Sequence, residues 1–425
     1  MMMMKVKEDL NCVLPHDLMV DILLRQPVKS LMRFKAVSPT WRSFISNPHF
    51  AKAHFHLAAA PTHRLLLNRI NHDSDVESLD LQPSLGNPSA VVTLKFPAPY
   101  FRTLGSCRGI LLLAKKLAPS LDDLIVWNPS TGCHRKVPLS YDHWDSWYDP
   151  LLTPNISHFD LLSSSLYCFR DGPSTHTIPP YYLLDSDLHG FGYDPSKDDY
   201  LFVLIRLGEF HPSQVTNRIG VLSLKTNVPS FYGDQVEYMA IGGPWTLTGL
   251  YLNQTLHWVV TSEEIDCVII AFDLLERSLT EIPFSYELNE KLVSYAGYHL
   301  GVLGGCLSLC YSAEGVNFPE EGHYDYEMTE IWVMKEYKVQ DSWTKTFVIS
   351  VNAPKRFLPI WSIEGGGVLG ADDTGGLQKY NDEGELLESH AYGIDDKFSL
   401  KYFDMYKESL LTLPGGDFEE GNEDA

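Results

Sequence analysis

The side chains in this 425-residue sequence whose types could do chemistry fall into a few groups. One polar stretch carries Asp142, His143, Asp145, His158, Asp160 and His176. Imidazole and carboxylate together suit a divalent cation, but zinc ligands recur at close, regular spacing, usually with a Cys or His pair. The spacing here is irregular and no such pair accompanies it, so these read as solvated loop residues. Residues 365–370, GGGVLG, match the glycine pattern of a pyrophosphate-binding turn. That chemistry needs a helix directly after the glycines; the sequence continues ADDTGG, a turn. Cys306 and Cys310 stand four apart in an apolar run and so share one face of a strand, as core thiols. His257 beside Trp258 reads as a structural histidine, and Trp127 and Trp332, in equivalent apolar runs, as packing residues. No metalloprotease, hydrolase-elbow or phosphate-loop motif occurs. Nothing places a nucleophile, a base and an orienting group together. The expectation is no catalytic centre, no metal and no cofactor.

The elements that carry these residues belong to a folded chain, 44% hydrophobic and 12% aromatic. Its formal charge of −22 repels phosphate backbones and anionic lipid surfaces, so neither nucleic acid nor membrane is expected as a partner. No apolar run reaches the ~18–20 residues that cross a bilayer, and MMMMKVKEDL lacks a signal-peptide core. Seven cysteines, none in a C-x-x-C pair, fit reduced thiols. The expected location is the cytosol or nucleus, where the sequons at Asn155 and Asn253 stay idle.

Residues 14–57 are divided by Pro15, Pro27, Pro39 and Pro48, each followed by an apolar set at helical spacing. The sets are Leu18, Ile22 and Leu23; Val28, Leu31, Met32 and Phe34; Trp41, Phe44 and Ile45; and Phe50, Ala53 and Leu57. Ser38 and Asn47 stand where helix N-caps belong. Three or four helices of about ten residues result, too short to persist alone in water. They must pack together, and so small a bundle leaves apolar surface for another protein.

This run resembles the F-box in its common plant variant. The matching residues are Leu14-Pro15, Asp17-Leu18, Ile22-Leu23, Arg25, Pro27 to Leu31, Arg33-Phe34-Lys35, Val37, Trp41, Ile45-Ser46, Pro48 and Phe50. Gln26 replaces the usual Leu, and Pro39 a frequent Lys or Arg. The resemblance implies docking on the Skp-type adaptor of a cullin–RING ubiquitin ligase. Leu14, Pro15, Leu18, Ile22, Leu23, Pro27, Leu31, Phe34, Val37, Trp41 and Ile45 would make that contact.

From His63 the pattern changes to short apolar runs bounded by Gly, Pro, Asp and Asn. Arg64–Leu67 and Val91–Leu94 read as strands around a polar loop at 71–90. Beyond them a module recurs: a small-residue turn, an apolar strand, a second ending on an aromatic, an Asn/Asp turn and a third ending near Pro. Copies occupy 105–138, 249–283, a stretch from 301 and 365–390, with a weaker one around 190–232. The marker positions Val221, Phe272, Trp332 and Tyr380 recur at about the spacing of kelch-type blades. One such sheet cannot cover both its faces, and radial stacking solves that. The modules resemble the F-box-associated domain through SCRGIL at 106–111, WNPSTG at 127–132, GFGYD at 190–194, LHW at 256–258, IWVM at 331–334, SWTK at 342–345 and YKESLLTL at 406–413.

The expected fold is therefore a helical bundle at 11–60 and a mainly antiparallel, kelch-like β-propeller of six or seven blades at 61–413. A loose leader at 1–10 and an acidic disordered tail at 414–425 flank them. Two segments fall outside the modules, 139–180 and 313–329, and long loops on rigid scaffolds commonly bind partners. Their aromatics Trp144, Trp147, Tyr148, Phe159, Phe318, Tyr324 and Tyr326 are the candidate target contacts. The resemblance implies a non-catalytic receptor that carries an unknown protein target to cullin and RING subunits. A propeller that only binds, and a propeller glycosidase, are the alternatives; the latter lacks paired acids.

Overall fold

A computed structural model describes residues 16–57, 62–68, 75–81, 84–97, 101–115, 124–137, 187–207, 217–234, 238–240, 247–261, 267–292, 298–314, 326–350, 357–363, 365–372, 376–392 and 402–415. Four short helices come first: α1 (His16–Leu24), α2 (Val28–Phe34), α3 (Pro39–Ile45) and α4 (Pro48–Leu57). The capping residues act as their types dictate. Ser38 Oγ accepts the Trp41 N–H at 3.2 Å, and Asn47 Oδ1 accepts that of His49 at 2.8 Å. Leu23, Leu31, Ile45 and Phe50 fill the bundle's interior, and Phe34 meets Trp41 edge-on with ring centres 5.5 Å apart.

The rest is a mainly-β propeller whose first sheet joins strands far apart in the chain. The strands β1 (His63–Asn68), β2 (Asp75–Asp80) and β3 (Val91–Lys95) are joined by the last strand, β25 (Tyr402–Lys407), in the order β25-β1-β2-β3. Antiparallel meanders follow: β4 (Phe101–Cys107), β5 (Ile110–Lys115), β6 (Ile125–Trp127) and β7 (His134–Lys136); then β17 (Tyr298–Leu303), β18 (Cys306–Glu314), β19 (Tyr326–Met334) and β20 (Trp343–Ser350). The meander β21 (Phe357–Ser362), β22 (Val368–Asp372), β23 (Gly376–Tyr380) and β24 (Leu386–Ala391) comes last.

Between them lies a nine-stranded sheet. It contains β8 (Leu188–Asp194), β9 (Asp199–Arg206), β10 (Asn217–Ser223) and β11 (Pro229–Asp234), then β13 (Thr248–Leu252), β14 (Thr255–Thr261), β15 (Cys267–Asp273) and β16 (Ser278–Pro283). The short β12 (Met239–Ala240) pairs with β14. The two meanders fuse where β8 and β13 run parallel, His189 opposite Thr248 and Gly190 opposite Gly249. Fusion needs small residues: a Cβ at Gly249 would lie 2.5 Å from the Trp258 ring, and one at Gly190 2.9 Å from Leu256. Six or seven separate blades were expected. The described residues instead form four separate four-stranded sheets and this fused one.

Two local expectations are corrected, and one element is added. The polar composition of residues 71–90 predicts a loop, yet β2 lies inside them: Val76 and Leu79 are buried, and Ser78 is buried because it binds Arg64 and Tyr406. Gly105-Ser106-Cys107 ends a strand, and the turn falls at Arg108-Gly109. A further helix, α5 (Tyr286–Leu292), packs Leu288 and Leu292 beneath it. The repeating marker positions Val221, Phe272, Trp332 and Tyr380 all fall on third strands, β10, β15, β19 and β23, and all are buried.

Strand alternation gives the propeller two rims. Turns between first and second strands, and between third and fourth, lie on one; the remaining connections lie on the other. The helices enter β1 at His63, paired with Lys407, on the first of these, the near rim.

Candidate functional site

The apolar positions of the bundle divide by burial. Leu23, Leu31 and Ile45 are 2%, 0% and 1% exposed, so they build the interior and present nothing to a partner. This corrects their expected place in a docking face; a short helix must spend its best apolar positions on its own packing. Leu18, Ile22 and Val37 are 52%, 49% and 65% exposed. Pro27 is exposed, and Phe34 and Trp41 are half-buried. Leu14 and Pro15 lie outside the described residues. The open apolar side chains thus lie on α1 and just beyond the end of α2. Arg25, Lys29, Arg33 and Arg42 are exposed on the same bundle.

The residues that suggested chemistry are placed as follows. His257 is buried, with Nδ1 3.1 Å from the Leu250 carbonyl and Nε2 2.8 Å from the Tyr337 hydroxyl. Burial pulls its pKa down to about 4, so the ring is neutral and both nitrogens are engaged. Cys310 donates to the Phe357 carbonyl at 3.3 Å. The glycines at 365–370 lead into β22, where Gly370 packs on Phe357. The histidines and aspartates of 142–176 lie outside the described residues, as do Trp144, Trp147, Tyr148, Phe159, Phe318 and Tyr324; Tyr326 begins β19 opposite Glu314. Among the described residues no group of three His, Cys, Asp or Glu could hold a metal, and no helix is long and apolar enough to cross a membrane.

Sequence reasoning missed a buried polar cluster on the inner strands. His189 Nδ1 donates to the Asp187 carbonyl at 3.2 Å, and in the neutral ring Nε2 accepts from Thr248 Oγ1 at 3.0 Å. Burial, with Arg102 nearby, lowers its pKa to about 3. Burial raises Asp187 to about 7 against the pull of Arg206, 3.5 Å away. It also missed the seat of the bundle on the near rim, where Arg108, Asp198 and Lys407 meet α4 and Tyr193 backs Arg108. Neither has a sequence signal, because each joins residues far apart in the chain.

Two family models match the chain. The F-box domain covers residues 12–52, and the F-box associated beta propeller domain covers residues 61–369. The chain belongs to the F-box associated beta-propeller family. Its relatives include an F-box/kelch-repeat protein of Arabidopsis thaliana, 28% identical over 379 residues, 87% of each chain. The F-box protein CPR1 of the same plant is 28% identical over 364 residues, covering 79% of this chain and 73% of its own. Among solved structures, TolB from Acinetobacter baumannii aligns at a TM-score of 0.31 and 10% identity over 81% of this chain and 71% of its own. The bundle is therefore an F-box, and the open residues Leu18, Ile22 and Val37 are F-box residues.

Proposed function

We propose that this F-box propeller is the substrate-recognition subunit of an SCF-type cullin–RING ubiquitin ligase. The observation that carries the reading is the open apolar set Leu18, Ile22 and Val37, continued by Pro27, Phe34 and Trp41, on a bundle too small to cover it. A Skp-type adaptor would cover these side chains and tether cullin and RING subunits. The ring reads as six blades when the fused sheet is counted as two, which its two four-stranded meanders support. The target would bind the far rim. The strand ends that anchor residues 137–187 and 315–325 (Lys136 and Leu188, Glu314 and Tyr326) lie there by alternation. Catalysis would be proximity, holding a target lysine beside the charged enzyme, and the ubiquitin-bearing cysteine would belong to another subunit. A cytosolic or nuclear site of action accords with the reduced thiols.

Co-purification with a Skp-type adaptor tests the reading. Wild type should recover it, and Leu18→Asp with Phe34→Asp should not; equal recovery would reject adaptor docking. A propeller that binds without delivering its partner for degradation is the second reading, favoured if captured proteins keep their levels when the receptor is removed.

A further inference from the structure

Where the bundle meets the near rim, one aromatic ring is held by two cations. The Arg108 guanidinium lies 5.0 Å from the centre of the Phe55 ring and 3.9 Å from that of Tyr193. Lys407 Nζ lies 4.1 Å from the Phe55 ring centre and donates to the Phe55 carbonyl at 3.3 Å. Such contacts strengthen as water is excluded. Lys52 of α4 pairs with Asp198, which also accepts the Tyr193 hydroxyl. Behind them the chain beyond β25 crosses the rim. Asn128 Nδ2 donates to the carbonyls of Ser409 at 3.1 Å and Leu411 at 2.9 Å. Leu410, Leu411 and Leu413 share one apolar cluster with Leu23, Val28 and Phe50 of the bundle.

The backbone at Arg108 adds a second, independent observation. Arg108 and Gly109 have φ of +53° and +82°, a tight hairpin turn with both central residues left-handed. Gly109 is required, since a Cβ there would lie 2.3 Å from the Lys407 carbonyl oxygen. Position 108 has no such requirement for arginine: Gly, Asn or Asp accept a positive φ more readily. A side chain kept at a disfavoured backbone setting points to a task for that side chain.

We propose that Arg108 and Lys407 clamp Phe55 and so fix the direction in which the F-box's open apolar face points relative to the far rim. Arg108 is a positioning residue. The purpose of the clamp rests on the receptor reading: a freely swinging bundle would spread a bound target over a larger volume and dilute its lysines at the transfer site.

The test uses the full chain as wild type, Arg108→Asn, Arg108→Lys and Phe55→Ala. Readouts are thermal melting, small-angle X-ray scattering, amide hydrogen exchange in α4, and adaptor capture. Arg108→Asn should hold or raise the melting temperature, because the turn relaxes. It should also extend the scattering envelope and speed exchange in α4 about tenfold. Arg108→Lys, which keeps a cation, should restore much of the compact profile, and Phe55→Ala should loosen the bundle as Arg108→Asn does. An Arg108→Asn protein that scatters and exchanges like wild type overturns the clamp. So does one that melts lower with the bundle still seated. Should wild type fail to capture the adaptor, the receptor reading falls, while scattering and exchange still decide the clamp.

Discussion

Single buried rings contribute to how this protein responds to acid. His189 and His257 are held neutral in the fold, with pKa values drawn down to about 3 and about 4 from an ordinary 6.5. Below pH 6.5 the unfolded chain takes up protons there that the native chain refuses, so each ring's contribution to stability is present above 6.5 and lost as pH falls toward its folded value. Asp187 works oppositely. Its folded pKa is raised to about 7 from 3.8, so its contribution is present below 3.8 and lost as pH rises through 7. Between about pH 6 and pH 4 these three groups together leave protons on the unfolded side, so they weaken the fold as pH falls. Melting temperature should therefore fall across that window, and His257→Asn should flatten the fall; an unchanged slope would show that His257 does not carry it. Gly249→Ala is a steric counterpart. Its Cβ would enter the Trp258 ring, so a loss of about 1–3 kcal/mol is expected in a urea melt. The structural role of His257 was legible from its apolar surroundings in the sequence. The contact of Arg108 with a ring 53 positions away in the chain was not, because nothing local to SCRGIL encodes it.

At the scale of elements, the bundle's two kinds of apolar residue should separate in experiment. Leu31→Ala removes a side chain with no exposure and should cost about 2–5 kcal/mol, melting the helices. Leu18→Ala should change stability by no more than about 0.5 kcal/mol while weakening adaptor capture. Circular dichroism melts beside capture assays would show the split, and two variants failing in the same way would erase the distinction between interior and face. The helices were readable because proline and capping residues punctuate them, as Ser38 and Asn47 show. Periodicity could not say which apolar residues turn inward, since Leu18, Ile22 and Leu23 all satisfy the same pattern. The strand β2 escaped because its buried Ser78 mimics a loop residue until Arg64 and Tyr406 arrive from elsewhere. The blade repeat was legible in third strands, where each carries a buried marker side chain, Val221, Phe272, Trp332 or Tyr380. It was not legible where two glycines allow β8 and β13 to fuse.

On the scale of the whole molecule, charge is unevenly shared. Residues 14–57 hold six Lys and Arg against two Asp, in a chain whose formal charge is −22. A basic bundle thus sits on an acidic ring, with Lys52 and Asp198 paired at the seam. Closure of that ring is the other global property. Since β25 completes the first sheet, deleting residues 402–425 should expose the edge of β1 and remove the apolar mortar of Leu410, Leu411 and Leu413. The expected result is loss of a single cooperative melt, followed by calorimetry; an intact transition would mean that the ring holds without its last strand.

The same closure bears on how the protein comes into being. Synthesis runs from the first residue, and earlier domains usually fold as they emerge. Here the opening sheet must wait, one edge bare, until the ribosome has delivered β25, long after β1 to β3. A message cut short anywhere upstream would yield a product with an unsealed circumference, and cellular quality control would meet it as a sticky, half-finished edge.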